Sequence, residues 1–245
     1  MNKNQLHTTN LLIGHDKIPL SDPINIALQT GDCLAVLGRN GSGKSTLLHT
    51  ICKLIPAIGG EVYIHDKSVS QLNYRELALE VSIVFSGRRD LIGQITVEEI
   101  LKLGRFPYTG FYAKLNAADK NKIEEIVSQL HLEKLYYKNI NHLSDGEAQK
   151  IMIARALVQD TPIIIFDEPT THLDLFNKHE IFQLIQSLTN RDKTILISTH
   201  EVNHALDIAN QCILFTHNSS IVYGHTAALK QSNQIESYFG DILIK

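Results

Sequence analysis

The chain has 245 residues, 43% hydrophobic and 20% charged, so it can bury a core without disulfides or a structural metal, and intrinsic disorder is excluded. That length fits one large or one two-lobed domain and excludes a many-domain architecture. A net charge of −3 gives no overall positive field toward nucleic acid or an anionic membrane, so any bound anion must be held by local groups.

No apolar run approaches the roughly 18 residues of a membrane-spanning helix. The opening MNKNQLHTTN lacks the basic region and apolar core of a signal peptide, which predicts residence in the cytosol. Strand-like stretches at 5–13, 25–28, 32–37 and 61–65, the last with a turn at Asp66-Lys67, predict a β-rich edge in the N-terminal third. Cys33, Cys52 and Cys212 are odd in number, have no C-x-x-C spacing and sit in apolar runs, which predicts reduced, buried thiols. After the strand at 32–37 comes a glycine-rich loop, then helical periodicity from Lys44 that stops at Pro56. Helical signals at 97–103, 117–130 and 145–157 predict a helical insert. A buried strand at 162–166, a helix at 174–188, a second buried strand at 194–198 and a helix from about 201 then alternate, which predicts a parallel sheet. One or two short helices are expected in 226–245.

The loop Gly38-Arg39-Asn40-Gly41-Ser42-Gly43-Lys44-Ser45 matches the phosphate-binding pattern G-x-x-x-x-G-K-[ST] between a strand and a helix. Its glycines let successive backbone N–H groups turn toward phosphates, and the helix dipole adds to that field. In this pattern Lys44 reaches the β- and γ-phosphates of ATP, Ser45 offers its hydroxyl to Mg²⁺, and Thr46 and neighbouring amides suit the α-phosphate. The strand at 162–166 delivers Asp167 and Glu168 at its C-terminal end. Asp167 is placed for the Mg²⁺ shell and Glu168 to orient or deprotonate the attacking water. His200 follows the strand at 194–198 and is expected at the same sheet edge, near the γ-phosphate. A competing pattern, His200-Glu201-Val202-Asn203-His204, spells H-E-x-x-H, the helical zinc signature. It requires both histidines on one helix and a third ligand, and no matching ligand follows downstream. His204 is otherwise expected on a helix surface.

Together with a segment that phosphate binding alone does not need, these motifs resemble the ATP-binding subunits of ABC transporters over nearly the whole chain. Leu143-Ser144-Asp145-Gly146-Glu147 stands in the place of that family's signature, followed by Gln149 and Ile153-Ala154-Arg155-Ala156-Leu157. Read by itself, the same pentapeptide is an N-capped helix start. The resemblance implies an α/β fold with a P-loop NTPase core, a mainly parallel sheet, an N-terminal antiparallel β edge and a helical insert. It implies one ABC ATPase domain over 1–245, with a catalytic core at 1–87 and 158–245 and a helical subdomain at about 88–157. It further implies a homodimer that sandwiches two ATP molecules, Ser144 and Gly146 of each chain meeting the ATP of the other. Leu173-Asp174 matches the D-loop that crosses this interface, and His200 the switch histidine.

The sequence departs from the family pattern in three respects. Asp145 and Glu147 replace glycine and glutamine and bring carboxylates near phosphates; Ser86-Gly87 stands where the Q-loop glutamine is expected, with Gln94 too late; and His15 stands where an aromatic stacks on adenine. His15 is either that stacking group or an exposed loop histidine. Leu103-Gly104-Arg105-Phe106-Pro107-Tyr108 resembles the G-R-x-P segment of importers of iron-siderophores, haem and cobalamin, or else terminates a helix. The resemblance thus implies an ATPase on the cytoplasmic face of the inner membrane, partnered by permease subunits and indirectly by a periplasmic or lipoprotein substrate-binding protein. Soluble ABC-type ATPases acting on DNA or ribosomes form the alternative, with another transporter substrate class and a poorly hydrolysing, nucleotide-gated module. One cassette, no heptad run and a negative charge speak against nucleic acid, and Glu168 with His200 speaks for hydrolysis.

Overall fold

The computed structural model describes residues 4–85, 94–109, 114–216 and 219–240. Strand β1 (Leu6–Leu12), the hairpin β2 (Gly14–His15) and β3 (Ile18–Pro19), and β4 (Ala27–Leu28) precede β5 (Cys33–Gly38) and helix α1 (Lys44–Ile51). After β6 (Gly59–Ile64) and β7 (Lys67–Ser68) come α2 (Tyr74–Glu80) and β8 (Val81–Phe85). Helices α3 (Val97–Gly104), α4 (Phe106–Thr109), α5 (Ala117–Gln129) and α6 (Asp145–Gln159) fill the middle. The chain then runs β9 (Ile163–Asp167), α7 (Leu175–Thr189), β10 (Thr194–Ser198), α8 (Val202–Ile208), β11 (Gln211–Phe215), β12 (Ile221–His225), α9 (Thr226–Gln231) and α10 (Gln234–Phe239).

Six strands form one sheet in the order β12-β11-β5-β10-β9-β8, parallel throughout except for β12. Every residue of β5, β9, β10 and β11 is buried, as expected for a parallel sheet covered on both faces. Side chains alternate between two cores. Cys33, Ala35, Leu37, Ile164, Phe166, Ile195 and Ile197 pack on the face that carries α3, α5, α6 and α7. Leu34, Val36, Ile163, Ile165 and Leu196 pack on the face covered by α1 and the N-terminal strands. Those strands, expected as a β-rich edge, make a separate antiparallel sheet in the order β4-β1-β6-β7. The short elements β2, β3, β7 and α4 were not expected from the sequence, and neither were α2, β8, β11 and β12. In α2 and β8 the chain passes from Glu80 to Val81 without a glycine, proline or turn residue to mark the junction. Helix α1 ends at Ile51, short of the expected stop before Pro56.

All three cysteines are free and buried, and burial pushes each thiol up to about 12. Only thiolate attacks a disulfide reagent, so at pH 8 the native chain should release no colour from one, and all three should react once denaturant is added. Prompt reaction of a native thiol would contradict this burial.

The segment 103–108 does more than end a helix. Arg105 is buried, donates from Nε to Asp119 Oδ1 at 2.8 Å and from Nη1 to the Val158 carbonyl at 2.9 Å, and lies 3.7 Å from the Tyr108 ring centre. Asp119 in turn closes the capping box of α5 with Asn116. One side chain therefore ties α3, α5 and α6 together. Removing it in Arg105→Ala strands a buried carboxylate, and the expected loss is about 3–5 kcal/mol in urea unfolding; an unchanged midpoint would refute this role.

Candidate nucleotide-binding site

Because β5, β9 and β10 are adjacent and parallel, their C-terminal ends bring three separate motifs to one edge of the sheet. From β5 the chain enters the glycine-rich loop. A Cβ on Gly38, which has φ +152°, would lie 2.7 Å from Ser42 Oγ and 2.9 Å from Phe215 Cβ, so the loop closes only with glycine there. Gly43, with φ +109°, is the N-cap of α1. Lys44 is buried and its ammonium donates to the carbonyls of Gly38 and Arg39, both at 3.1 Å, with Glu168 Oε1 at 4.0 Å. Burial lowers its pKa, while the charges of Glu168 and Asp167 act in the opposite sense. Ser42 Oγ is buried with no partner among the described residues, and Thr46 is buried on α1.

Asp167 closes β9. Its Oδ1 accepts from Ser45 Oγ at 2.9 Å and from Ser198 Oγ at 2.7 Å, which joins the first turn of α1 to the ends of β9 and β10. Burial pushes its carboxyl up, but His49, Ser198 and Ser45 outweigh this and hold it below the usual carboxylate value. His49, a residue the sequence reading passed over, stands one helical turn after Ser45 with Nε2 at 3.0 Å from Asp167 Oδ2, a close approach rather than an aligned hydrogen bond. Its only sequence signal was the i+4 spacing from Ser45.

Glu168 has φ +51°, a conformation that a residue with a side chain adopts only when its surroundings fix it. Here the Glu168 N–H is held by the Ser198 carbonyl and hydroxyl, each at 3.0 Å. Its Oε1 meets His200 Nε2 at 2.9 Å, and His200 remains 45% exposed. Helix α8 begins only at Val202, so His200 and His204 do not share a helix and the H-E-x-x-H pattern has no zinc geometry. Nor is His204 a plain surface residue: it is half-buried and stacked on Phe182, ring centres 4.9 Å apart.

The signature lies elsewhere. Ser144 caps α6 in a reciprocal box: its Oγ accepts from the Glu147 N–H at 3.2 Å, and Glu147 Oε2 accepts from the Ser144 N–H at 2.8 Å. The Glu147 carboxylate is thereby folded onto its own helix end, where the dipole also favours Asp145. Among the described residues, neither Ser144 nor Gly146 lines the cleft beside the loop at 38–45, about 620 Å³, which is formed by Gly38, Arg39, Asn40, His200 and the aromatics Tyr238 and Phe239. Gly41 is exposed within the loop. His15 is exposed on the β2–β3 hairpin, whose flanking Ile13 and Leu20 stand beside Gly43. Ser86 and Gly87 lie outside the described residues, and Gln94 is exposed.

A family profile described as ABC transporter matches residues 21–171. The chain belongs to the ABC transporter family. It is 37% identical to an uncharacterized ABC transporter ATP-binding protein of Methanocaldococcus jannaschii over 90% of this chain and 76% of that one. It is also 32% identical to the iron(3+)-hydroxamate import ATP-binding protein FhuC of Bacillus subtilis, over 90% of this chain and 82% of the relative. Among solved structures, an inward-facing ABC transporter described as of metal-chelate type superposes with a TM-score of 0.82 at 28% identity, covering 97% of this chain and 89% of that one. The protein is therefore an ATPase and the ATP-binding subunit of an ABC transporter. Among the described residues no helix is long and apolar enough to cross a membrane.

Proposed function

We propose that two copies of this chain bind two Mg-ATP head to tail and, through a membrane permease, drive uptake of an iron-siderophore, haem or cobalamin-type substrate. The observation that carries the catalytic part is the convergence of Lys44, Ser45, Asp167, Glu168 and His200 at one sheet edge. A glycine cradle, an orphaned Ser42 hydroxyl and a buried ammonium fit a polyphosphate. Backbone amides from Gly41 to Thr46, with Asn40 at the loop's mouth, hold the phosphates, and Lys44 turns its ammonium from loop carbonyls to the β- and γ-oxygens. Ser45 and Asp167 supply hard oxygen donors suited to Mg²⁺, which when bound neutralises charge on the phosphate oxygens. Glu168, held by His200 and by its fixed backbone, orients the water and takes its proton. His15 stacks on the adenine.

Supporting the dimer, Ser144 and Gly146 lie outside the lining of the cleft that the described residues form beside the phosphate loop, and Leu175 and Phe176, directly after Leu173-Asp174, are 81% and 72% exposed. Supporting the permease partner, Tyr74, Leu103 and Phe106 present an apolar surface on α2, α3 and α4, which Arg75 fastens together through the Pro107 carbonyl at 2.8 Å. The helical part, about 88–157, carries that surface and moves against the core of 1–87 and 158–245, with the chain peripheral on the cytoplasmic face of the membrane. The substrate class is carried by the likeness to the hydroxamate importer subunit. In cells lacking this chain, uptake of radiolabelled iron-siderophore should fall to background and return with the wild type but not with Glu168→Gln. Unimpaired uptake of iron-siderophore, haem and cobalamin alike in the deletion would overturn the substrate class.

A further inference from the structure

Gly146 is the second residue of α6, in its first turn. Its φ is not in the left-handed region, so backbone conformation does not call for glycine. The reason lies across the fold. A Cβ there would be 2.8 Å from Asn177 Nδ2, and closer still to Asn177 Oδ1 and Cγ, so the carboxamide of Asn177 lies directly over the Gly146 backbone.

That carboxamide is not at liberty to swing away. Asp174, the N-cap of α7, accepts from the Asn177 N–H through Oδ1 at 2.8 Å and from Asn177 Nδ2 through Oδ2 at 2.9 Å. Oδ2 of the D-loop aspartate thus holds the side chain that rests on the signature glycine, while Oδ1 holds the backbone of the same residue. The contact also joins two parts of the chain that already touch: α6 packs on α3 and α5 in the helical part and on β8 and α7, and α7 packs on β10 and α8 in the core. We infer that Asn177 is a positioning residue, a latch that fastens the signature to the D-loop helix so that each chain presents Ser144–Gly146 and Leu173-Asp174 to its partner as one unit. The inference rests on the head-to-tail sandwich proposed above for its consequence in the dimer, but not for the latch itself.

Two measurements decide it. In nucleotide-free chain, Asn177→Ala should speed amide hydrogen exchange at 145–149 by about tenfold while leaving the central strands unchanged, the size of effect expected for one contact of this kind. Unchanged exchange there overturns the latch, whatever the chain's oligomeric state. In a Glu168→Gln background, Asn177→Ala should weaken the Mg-ATP-driven dimer about tenfold, with binding of a fluorescent ATP analogue to the monomer kept within about twofold. A Mg-ATP-driven dimer undiminished by Asn177→Ala would overturn the inference. A Glu168→Gln parent that never dimerises sinks the sandwich, and the exchange result still decides the latch.

Discussion

Glu168→Gln should turn over ATP about 10²–10⁴-fold more slowly than the wild type while binding it with nearly unchanged affinity, the drop expected when a general base is lost from a preserved site. Glutamine keeps the shape of glutamate and can still accept from Thr171 Oγ1, which lies 3.4 Å from Glu168 Oε2. It suffers the same φ of +51°, so the backbone that Ser198 holds is undisturbed. What it loses is the capacity to take a proton and the negative charge that faces His200. Phosphate release followed by a coupled assay, beside equilibrium binding, separates the two effects. A rate within a few-fold of wild type would remove Glu168 from the mechanism.

Lys44→Ala should lose ATP binding rather than turnover alone. The ammonium is buried against Gly38 and Arg39 carbonyls, at the one place in the loop where a cation stands close to both Asp167 and Glu168. Truncating a buried, hydrogen-bonded charge that faces an oppositely charged ligand costs about 2–5 kcal/mol, upward of about 30-fold in Kd. Urea unfolding of the same variant separates lost binding from lost fold: the midpoint should stay near that of wild type. Near-normal retention on an ATP matrix would refute the assignment of the loop.

The parts of this site that were legible in the sequence are those written in contiguous residues. Gly38 to Ser45 and Asp167-Glu168 each combine a local spacing with a buried strand before it, and parallel pairing of β5, β9 and β10 then had only one edge on which to place them. Zinc remained arguable from the letters of His200 to His204, and fails because α8 starts two residues after His200. Contacts between distant segments were not legible. His204 meets Phe182 and Gly146 meets Asn177 only after the helices have packed, and no local pattern encodes either. Glu147 lies between these cases. As a replacement for glutamine it raised an electrostatic difficulty, whereas the spacing Ser144-x-x-Glu147 is itself the sequence form of a capping box and accounts for the carboxylate. Strands β8 and β11 escaped notice for want of punctuation: four apolar residues and one polar one that follow a helix without a glycine or proline read as its continuation.

The central claim, that ATP joins two copies across the signature, is tested most directly by the mass in solution of Glu168→Gln with and without Mg-ATP. The account predicts a monomer that becomes a dimer only with nucleotide, and a monomer under both conditions when Ser144→Arg is added. A chain that binds Mg-ATP yet stays monomeric at every concentration, or a dimer indifferent to Ser144→Arg, would contradict it.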